Sequence, residues 1–184
     1  IISGGFVGQG FLKPDTSVDF SRDYTKVGAS VELISPDGTK STANVTTRAG
    51  FSFHNIPINA EPYTLKVNIP GHFPYFKDIM VNKEEDGEIT GSLTSITAFT
   101  YAGDVNQDDV IDIFDVLYLK EKWQSGDRSA DINLDGIVDE KDWSYVEENY
   151  LMRNHTLDEL KDVVLSHEGM TLEKVKKELG ITNP

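Results

Sequence analysis

The 184-residue chain has no cysteine, and its 17 basic residues are outnumbered by 31 acidic ones, for a formal net charge of −14. The lack of cysteine excludes disulfides, thiolate zinc sites and a cysteine nucleophile. The scarcity of basic side chains argues against nucleic acid and anionic membrane surfaces as partners, because both need a basic face. No apolar run approaches the ~20 residues of a membrane span, so we predict no direct membrane insertion.

Catalytic patterns are also missing. The four histidines are scattered outside any metal-ligand or general-base motif, and no G-x-S-x-G, P-loop or G-x-G-x-x-G pattern occurs. We therefore predict that the chain is not an enzyme. Its first residues, Ile1-Ile2-Ser3-Gly4-Gly5, contain neither an initiator Met nor a signal-peptide pattern, so we expect a piece of a longer or processed chain.

The negative charge is concentrated in one stretch. Residues 104–151 hold 14 acidic and 4 basic side chains, which accounts for −10 of the net charge. An acidic run is usually a solvated or disordered face. Here, however, the acids are regularly spaced and alternate with apolar residues, which favours a specific site.

The acids belong to a 12-residue pattern that is repeated 27 residues later, first in Asp104–Asp115 and then in Asp131–Asp142. Calcium takes 6–8 oxygen ligands, and a loop of this length supplies them from positions 1, 3, 5, 9 and 12 and from the carbonyl at position 7. The pattern predicts two calcium ions. The ligands would be Asp104, Asn106, Asp108, Val110, Asp112 and Asp115 in loop 1, and Asp131, Asn133, Asp135, Ile137, Asp139 and Asp142 in loop 2.

Two loop positions predict further structure. Position 6 makes a sharp turn that favours glycine, and Gly136 meets this need whereas Asp109 does not, so we expect loop 1 to be strained or weaker. Position 8, Ile111 and Val138, is predicted to pair the two loops in a short strand contact and to point into the core.

No helix is predicted before either loop, since a strand-like stretch at 93–101 precedes the first and only a short polar linker precedes the second. Each unit is therefore a loop followed by one exiting helix. At helical spacing the core residues are predicted as Val116, Leu119 and Trp123, and their repeat counterparts Trp143, Val146 and Tyr150.

These residues resemble the dockerin family, whose members dock onto cohesins in bacterial cellulosomes. Because cohesins contact loop positions 10 and 11 and the next helical turn, the resemblance implies a partner-binding face. Its residues would be Ile113, Phe114, Leu117, Tyr118, Glu121, Lys141 and Tyr145. Ile113-Phe114 looks like the type II subclass, and its contrast with Glu140-Lys141 implies one dominant docking orientation.

The first hundred residues predict an all-β, immunoglobulin-like sandwich. Candidate strands are 6–13, 29–35, 42–47, 51–54, 63–69, 75–81 and 91–99, separated by turn signals such as Pro36-Asp37-Gly38 and Glu85-Asp86-Gly87. This segment resembles the X-modules that precede type II dockerins in scaffoldins and pack against them.

The predicted fold is thus multi-domain: an X-module-like sandwich at 1–102, a small all-α dockerin at 103–152 and a helical extension at 153–184. In the extension, Thr156-Leu157-Asp158-Glu159 is a capping box that predicts one helix, and a second is predicted from Thr171.

The resemblance implies a non-catalytic, calcium-dependent and extracellular adaptor that binds a type II-like cohesin to assemble a cellulosome or anchor it at the cell surface. Two alternatives stay open. One is a calcium-stabilised carbohydrate-binding module using Phe73, Tyr75 and Phe76. The other is a calcium-sensing, peptide-binding domain, against which the missing entering helices argue.

Overall fold

The computed structural model describes residues 1–82 and 94–182. Within these residues, seven strands are followed by three α-helices. They are β1 Ile2–Gly8, β2 Ser30–Ile34, β3 Lys40–Ala43, β4 Gly50–Phe53, β5 Tyr63–Asn68, β6 Tyr75–Ile79, β7 Thr94–Thr100, α1 Ile113–Glu121, α2 Glu140–Glu148 and α3 Leu172–Glu178. The chain divides into two compact units, each described separately below.

Unit 1 comprises Ile1–Val7, Leu12–Ile69 and Pro74–Thr100. It contains a three-stranded sheet in the order β4-β1-β7 and a four-stranded sheet in the order β3-β2-β5-β6. Val31 lies opposite Val67 in the antiparallel pair of β2 and β5, and both are fully buried. The buried positions of both strands alternate with half-buried or exposed ones. This alternation is typical of a half-buried sheet and confirms the predicted β domain.

The first predicted strand is displaced. The sequence predicts it at 6–13, but β1 spans Ile2–Gly8 and a 3₁₀ turn follows at Gln9–Phe11. The strand ends there because the Gly10 amide donates to Nε2 of buried His72 at 3.0 Å instead of to a neighbouring strand. For the seventh predicted strand, residues 91–93 and the turn at Glu85-Asp86-Gly87 lie outside the described residues.

Unit 2 comprises Gly8–Phe11, Pro70–Phe73 and Tyr101–Pro184. Its apolar core is built mainly from α1 and α2. Of the predicted helical stripes, Val116, Leu119, Trp143 and Val146 are buried, and Trp123 and Tyr150 are partly buried against them. The six predicted core positions are therefore confirmed.

The prediction for the end of the chain is half right. A helix, α3, does begin after Thr171, whose side chain accepts a hydrogen bond from the Lys174 amide. The helix predicted from the capping box at 156–159 is wrong, because Asn154 Oδ1 instead accepts from both the amide and the hydroxyl of Thr156 and holds a turn. Among the described residues, no helix has both the length and the apolar character needed to cross a membrane.

Candidate metal and docking site

Each acidic loop ends by capping the helix that follows it. Asp112 and Asp139, at position 9, are the N-caps of α1 and α2. Asp115 and Asp142, at position 12, complete a capping box, because one carboxylate oxygen of each accepts a hydrogen bond from the backbone amide of the N-cap residue at 2.9 Å. The aspartate at position 12 therefore has a clear local role, since a short side chain at this position reaches both the loop and the cap.

The two loops share the same internal hydrogen bonds. In loop 1, Asp104 accepts from the amides of Asp108 and Asp109 at 3.0 and 3.1 Å. In loop 2, Asp131 accepts from the residues at the same two positions at 3.1 and 2.9 Å. The asparagine at position 3 likewise accepts from the position 5 amide in both loops. Because the same hydrogen bonds occur at the same positions of both loops, the duplication in the sequence is also a duplication in the structure.

Loop 1 brings three carboxylates together in the interior. One oxygen from each of Asp104, Asp108 and Asp115 lies within 4.8 Å of the others. Burial, reinforced by the Asp115 carboxylate, raises the pKa of Asp104 to about 8. Burial likewise raises the pKa of Asp115 to about 8. A cation offsets this desolvation and repulsion, and an all-oxygen donor set suits a hard cation such as calcium. The residues present therefore fit the predicted metal.

Loop 2 is more open. Burial raises the pKa of Asp142 only to about 6. Asp135 accepts a hydrogen bond from Lys141 Nζ at 2.7 Å, and this bond lowers the pKa of its carboxyl. Lys141, predicted as a partner contact, therefore also neutralises part of the charge in loop 2.

The backbone φ angles at position 6 test the prediction of a sharp turn that favours glycine. Asp109 has φ +74° and its counterpart Gly136 has φ +98°, so both loops turn through the left-handed region there. Asp109 is held by two residues that the sequence analysis did not single out. Its carboxylate accepts from Asn154 Nδ2 at 3.0 Å and from Lys161 Nζ at 3.1 Å. These contacts offset the backbone cost of a non-glycine residue. No local sequence pattern predicts them, because Asn154 and Lys161 lie 45 and 52 residues away in the sequence.

The predicted pairing of the loops through position 8 is wrong. Ile111 donates to the Met152 carbonyl at 2.9 Å and accepts from the Leu151 amide at 2.7 Å. Val138 instead bonds to residues 124–125, at 2.7 and 2.8 Å. Each loop therefore pairs with the segment that follows the helix of the other repeat. The two side chains do point into the core as predicted, since both are fully buried.

Residues 102–152, which contain both loops and both helices, match the family model for the dockerin type I domain. This segment is therefore similar to dockerin domains, and we call it the dockerin-like segment. Over 113 residues, 61% of the chain, the sequence is 27% identical to cellulosomal-scaffolding proteins B and A of Acetivibrio thermocellus. The chain spans only 14% and 6% of the length of these two relatives.

Two solved structures resemble the chain in fold. They are crystal structures of an N-terminal and a C-terminal interface mutant of a type II cohesin–X-dockerin complex from Acetivibrio cellulolyticus. Their TM-scores are 0.57 and 0.55 at 18% and 17% identity, and each match covers 83% of this chain and 96% of the other. Both matches extend well beyond residues 102–152, which is in keeping with a β unit followed by a helical one.

The predicted partner-binding residues differ in accessibility. Ile113 is completely buried, so it cannot touch a partner in this conformation. Phe114 is 37% exposed. Of the others, Glu121 and Lys141 are exposed, whereas Leu117, Tyr118 and Tyr145 are half-buried.

The aromatic residues considered for sugar binding are also covered to different degrees. Phe73 is buried in the core of unit 2 and has no free ring face for stacking. Tyr75 and Phe76 are half-buried on β6, and the Phe76 ring has Lys66 Nζ 5.6 Å from its centroid. This burial and pairing favour structural roles for the aromatic residues over a sugar platform.

Proposed function

We propose that the chain is a non-catalytic adaptor of an extracellular cellulosome, in which the dockerin binds two calcium ions and docks onto a type II-like cohesin. In this proposal residues 1–102 act as an X-module-like support and 153–184 as an extension. The single observation that carries it is the duplicated pair of acidic loops, each with the same hydrogen bonds and each capping a nine-residue helix, inside a segment that matches the dockerin family.

Calcium would act here by stabilising the folded state. It would be held by the position 1, 3, 5, 9 and 12 side chains and the position 7 carbonyls of both loops. An ion that binds only the folded protein stabilises it by about 2.7 kcal/mol per site at a hundredfold excess over its dissociation constant. Since each loop also caps the helix that follows it, we expect the helices to become ordered when calcium binds and to lose order when it is removed.

A type II-like cohesin is the proposed partner for two reasons. The fold is similar to structures described as type II cohesin–X-dockerin complexes. In addition, Phe114 presents an apolar ring at position 11 of the first repeat, where Lys141 stands in the second. We propose that the docking face centres on Phe114, Leu117, Tyr118 and Glu121, with Lys141 and Tyr145 at its margin.

The proposal is tested by titrating the full chain with a panel of type I and type II cohesins, with calcium and with excess chelator. We expect binding to type II cohesins in calcium and its loss in chelator. The variant Asp104→Ala/Asp131→Ala should abolish binding, whereas Glu61→Gln, which alters an exposed acid in unit 1, should not. Cohesin binding that survives complete removal of calcium would contradict the proposal.

The proposed orientation has a separate test. Burial of a large apolar side chain is worth roughly 1.5–3 kcal/mol, so Phe114→Ala should weaken cohesin binding by about tenfold or more. Lys141→Ala should have a much smaller effect. The opposite ranking would show that the second repeat dominates docking.

A further inference from the structure

Residues 155–169, here called the strap, expose large apolar side chains in unit 2. They run between the end of the dockerin and α3 without regular secondary structure. Leu160, Val164 and Leu165 are all exposed, and Leu165 is the most exposed of them at 62%. Groups of solvent-exposed apolar side chains often mark an interaction surface.

The backbone of the strap is fixed beside the start of α1. The Val164 amide donates to Asp112 Oδ2 at 2.8 Å, and the Val164 carbonyl accepts from the Ile113 amide at 3.1 Å. The Leu165 carbonyl accepts from Tyr150 Oη at 3.3 Å. Because these backbone groups are bonded to the dockerin, the strap is held in place while the Val164 and Leu165 side chains remain exposed.

This position makes the strap continuous with the proposed docking face. The His167 ring lies 4.9 Å from the Phe114 ring, between centroids. Ile113, the neighbour of Phe114, is fully buried and has the strap bonded to its amide. The accessible apolar groups at this end of α1 are therefore Phe114 and the strap residues, and not the Ile113-Phe114 pair that the sequence suggests.

We propose that the strap is an additional element of the docking surface and that Val164 and Leu165 contact the cohesin beside Phe114. The inference rests on the proposed function and commits to the same partner, because the strap extends that face at Phe114. In a rival arrangement, the strap would cover the proposed docking face in the free protein and would be displaced when the cohesin binds. The two arrangements predict opposite changes in cohesin affinity when the strap is loosened.

The test is a titration of the calcium-loaded full chain with the type II cohesins of the panel. Leu165→Asp should weaken binding by about tenfold or more, because it places a charge in an apolar contact. The matched control is Phe20→Asp in unit 1, whose side chain is 63% exposed, and its affinity should stay within about twofold of the unmodified chain.

A second variant separates contact from cover. Tyr150→Phe removes the hydrogen bond to the Leu165 carbonyl and loosens the strap without changing its side chains. If the strap contributes contacts, this variant binds more weakly; if the strap covers the face, it binds more tightly, since the apparent affinity scales with the open fraction. Melting curves in calcium confirm that each variant is folded.

The outcomes are distinct. Unchanged affinity for Leu165→Asp, or tighter binding by Tyr150→Phe, overturns the role of the strap while leaving cohesin docking intact. Failure of the unmodified chain to bind any cohesin overturns the proposed function, and the role of the strap with it.

Discussion

Replacing Asp115 by Asn tests how loop 1 combines metal binding with helix capping. The carboxylate is fully buried. Its Oδ1 accepts from the Val105 amide at 2.9 Å and from the Asn106 amide at 3.3 Å, and its Oδ2 accepts from the Asp112 amide at 2.9 Å. Asparagine keeps the shape of the side chain but has only one acceptor oxygen. Its NH₂ group must therefore face a backbone N–H donor on one side.

The size of the effect follows from this geometry. A buried amide left without an acceptor costs about 1–3 kcal/mol, and the calcium loses a charged ligand as well. In the calcium-free protein, removing a carboxylate whose pKa burial raises to about 8 offsets part of that cost. The calcium-bound form gains no such relief, so we expect a loss of about 3 kcal/mol from calcium binding at loop 1, or roughly a hundredfold in affinity.

The assay is calorimetric titration of calcium-free protein with calcium, accompanied by thermal unfolding. The unmodified chain should bind two ions, and Asp115→Asn should retain only one tight site. Asp162→Asn makes the same charge change at a fully exposed side chain and controls for general electrostatics. If Asp115→Asn still binds two ions with affinities within about threefold of the unmodified chain, which is under 1 kcal/mol, the reasoning is refuted.

Two further predictions concern the same loop. Asp109→Gly should relieve about 1 kcal/mol of backbone cost at φ +74°, but it also removes the hydrogen bonds from Asn154 and Lys161. We therefore expect the free energy of unfolding, measured by chemical denaturation, to fall by about 1 kcal/mol. A more stable variant would contradict this prediction. The raised pKa values of Asp104 and Asp115, both about 8, mean that the folded calcium-free state binds more protons than the unfolded state. Its stability should therefore fall as the pH rises from about 4 to about 8, while calcium affinity rises over the same window; melting curves and calcium titrations at pH 5, 7 and 8.5 would check both trends.

Much of the dockerin-like segment could be predicted because its signals are local. The spacing of oxygen-bearing side chains marks the loops, and helical periodicity marks the core of α1 and α2. The dual role of Asp115 and Asp142 was within reach too, since an N-cap acid three residues before another acid resembles a capping box. These features depend on residues within 12 positions of each other in the sequence, so the sequence carries them directly.

What could not be predicted depends on contacts between distant segments. The capping box at 156–159 is a sound local signal, yet the chain there forms a turn on Asn154 and then bonds to the start of α1. Val164 uses both of its backbone groups to bond Asp112 and Ile113, which a helix through this residue would have needed for itself. Tertiary contacts thus outweighed local propensity, and they also buried Ile113, which the sequence predicts as a docking residue.

The crossed pairing of the loops makes the two repeats depend on each other. Ile111 in loop 1 bonds to residues 151–152, which follow α2, and Val138 in loop 2 bonds to residues 124–125, which follow α1. The two pairings are equivalent under the 27-residue offset of the repeats. One repeat alone would leave the buried backbone groups at position 8 without partners, at a cost comparable to lost hydrogen bonds. Order in each loop therefore depends on the segment that follows the other repeat's helix, and this backbone pairing couples the two proposed calcium sites.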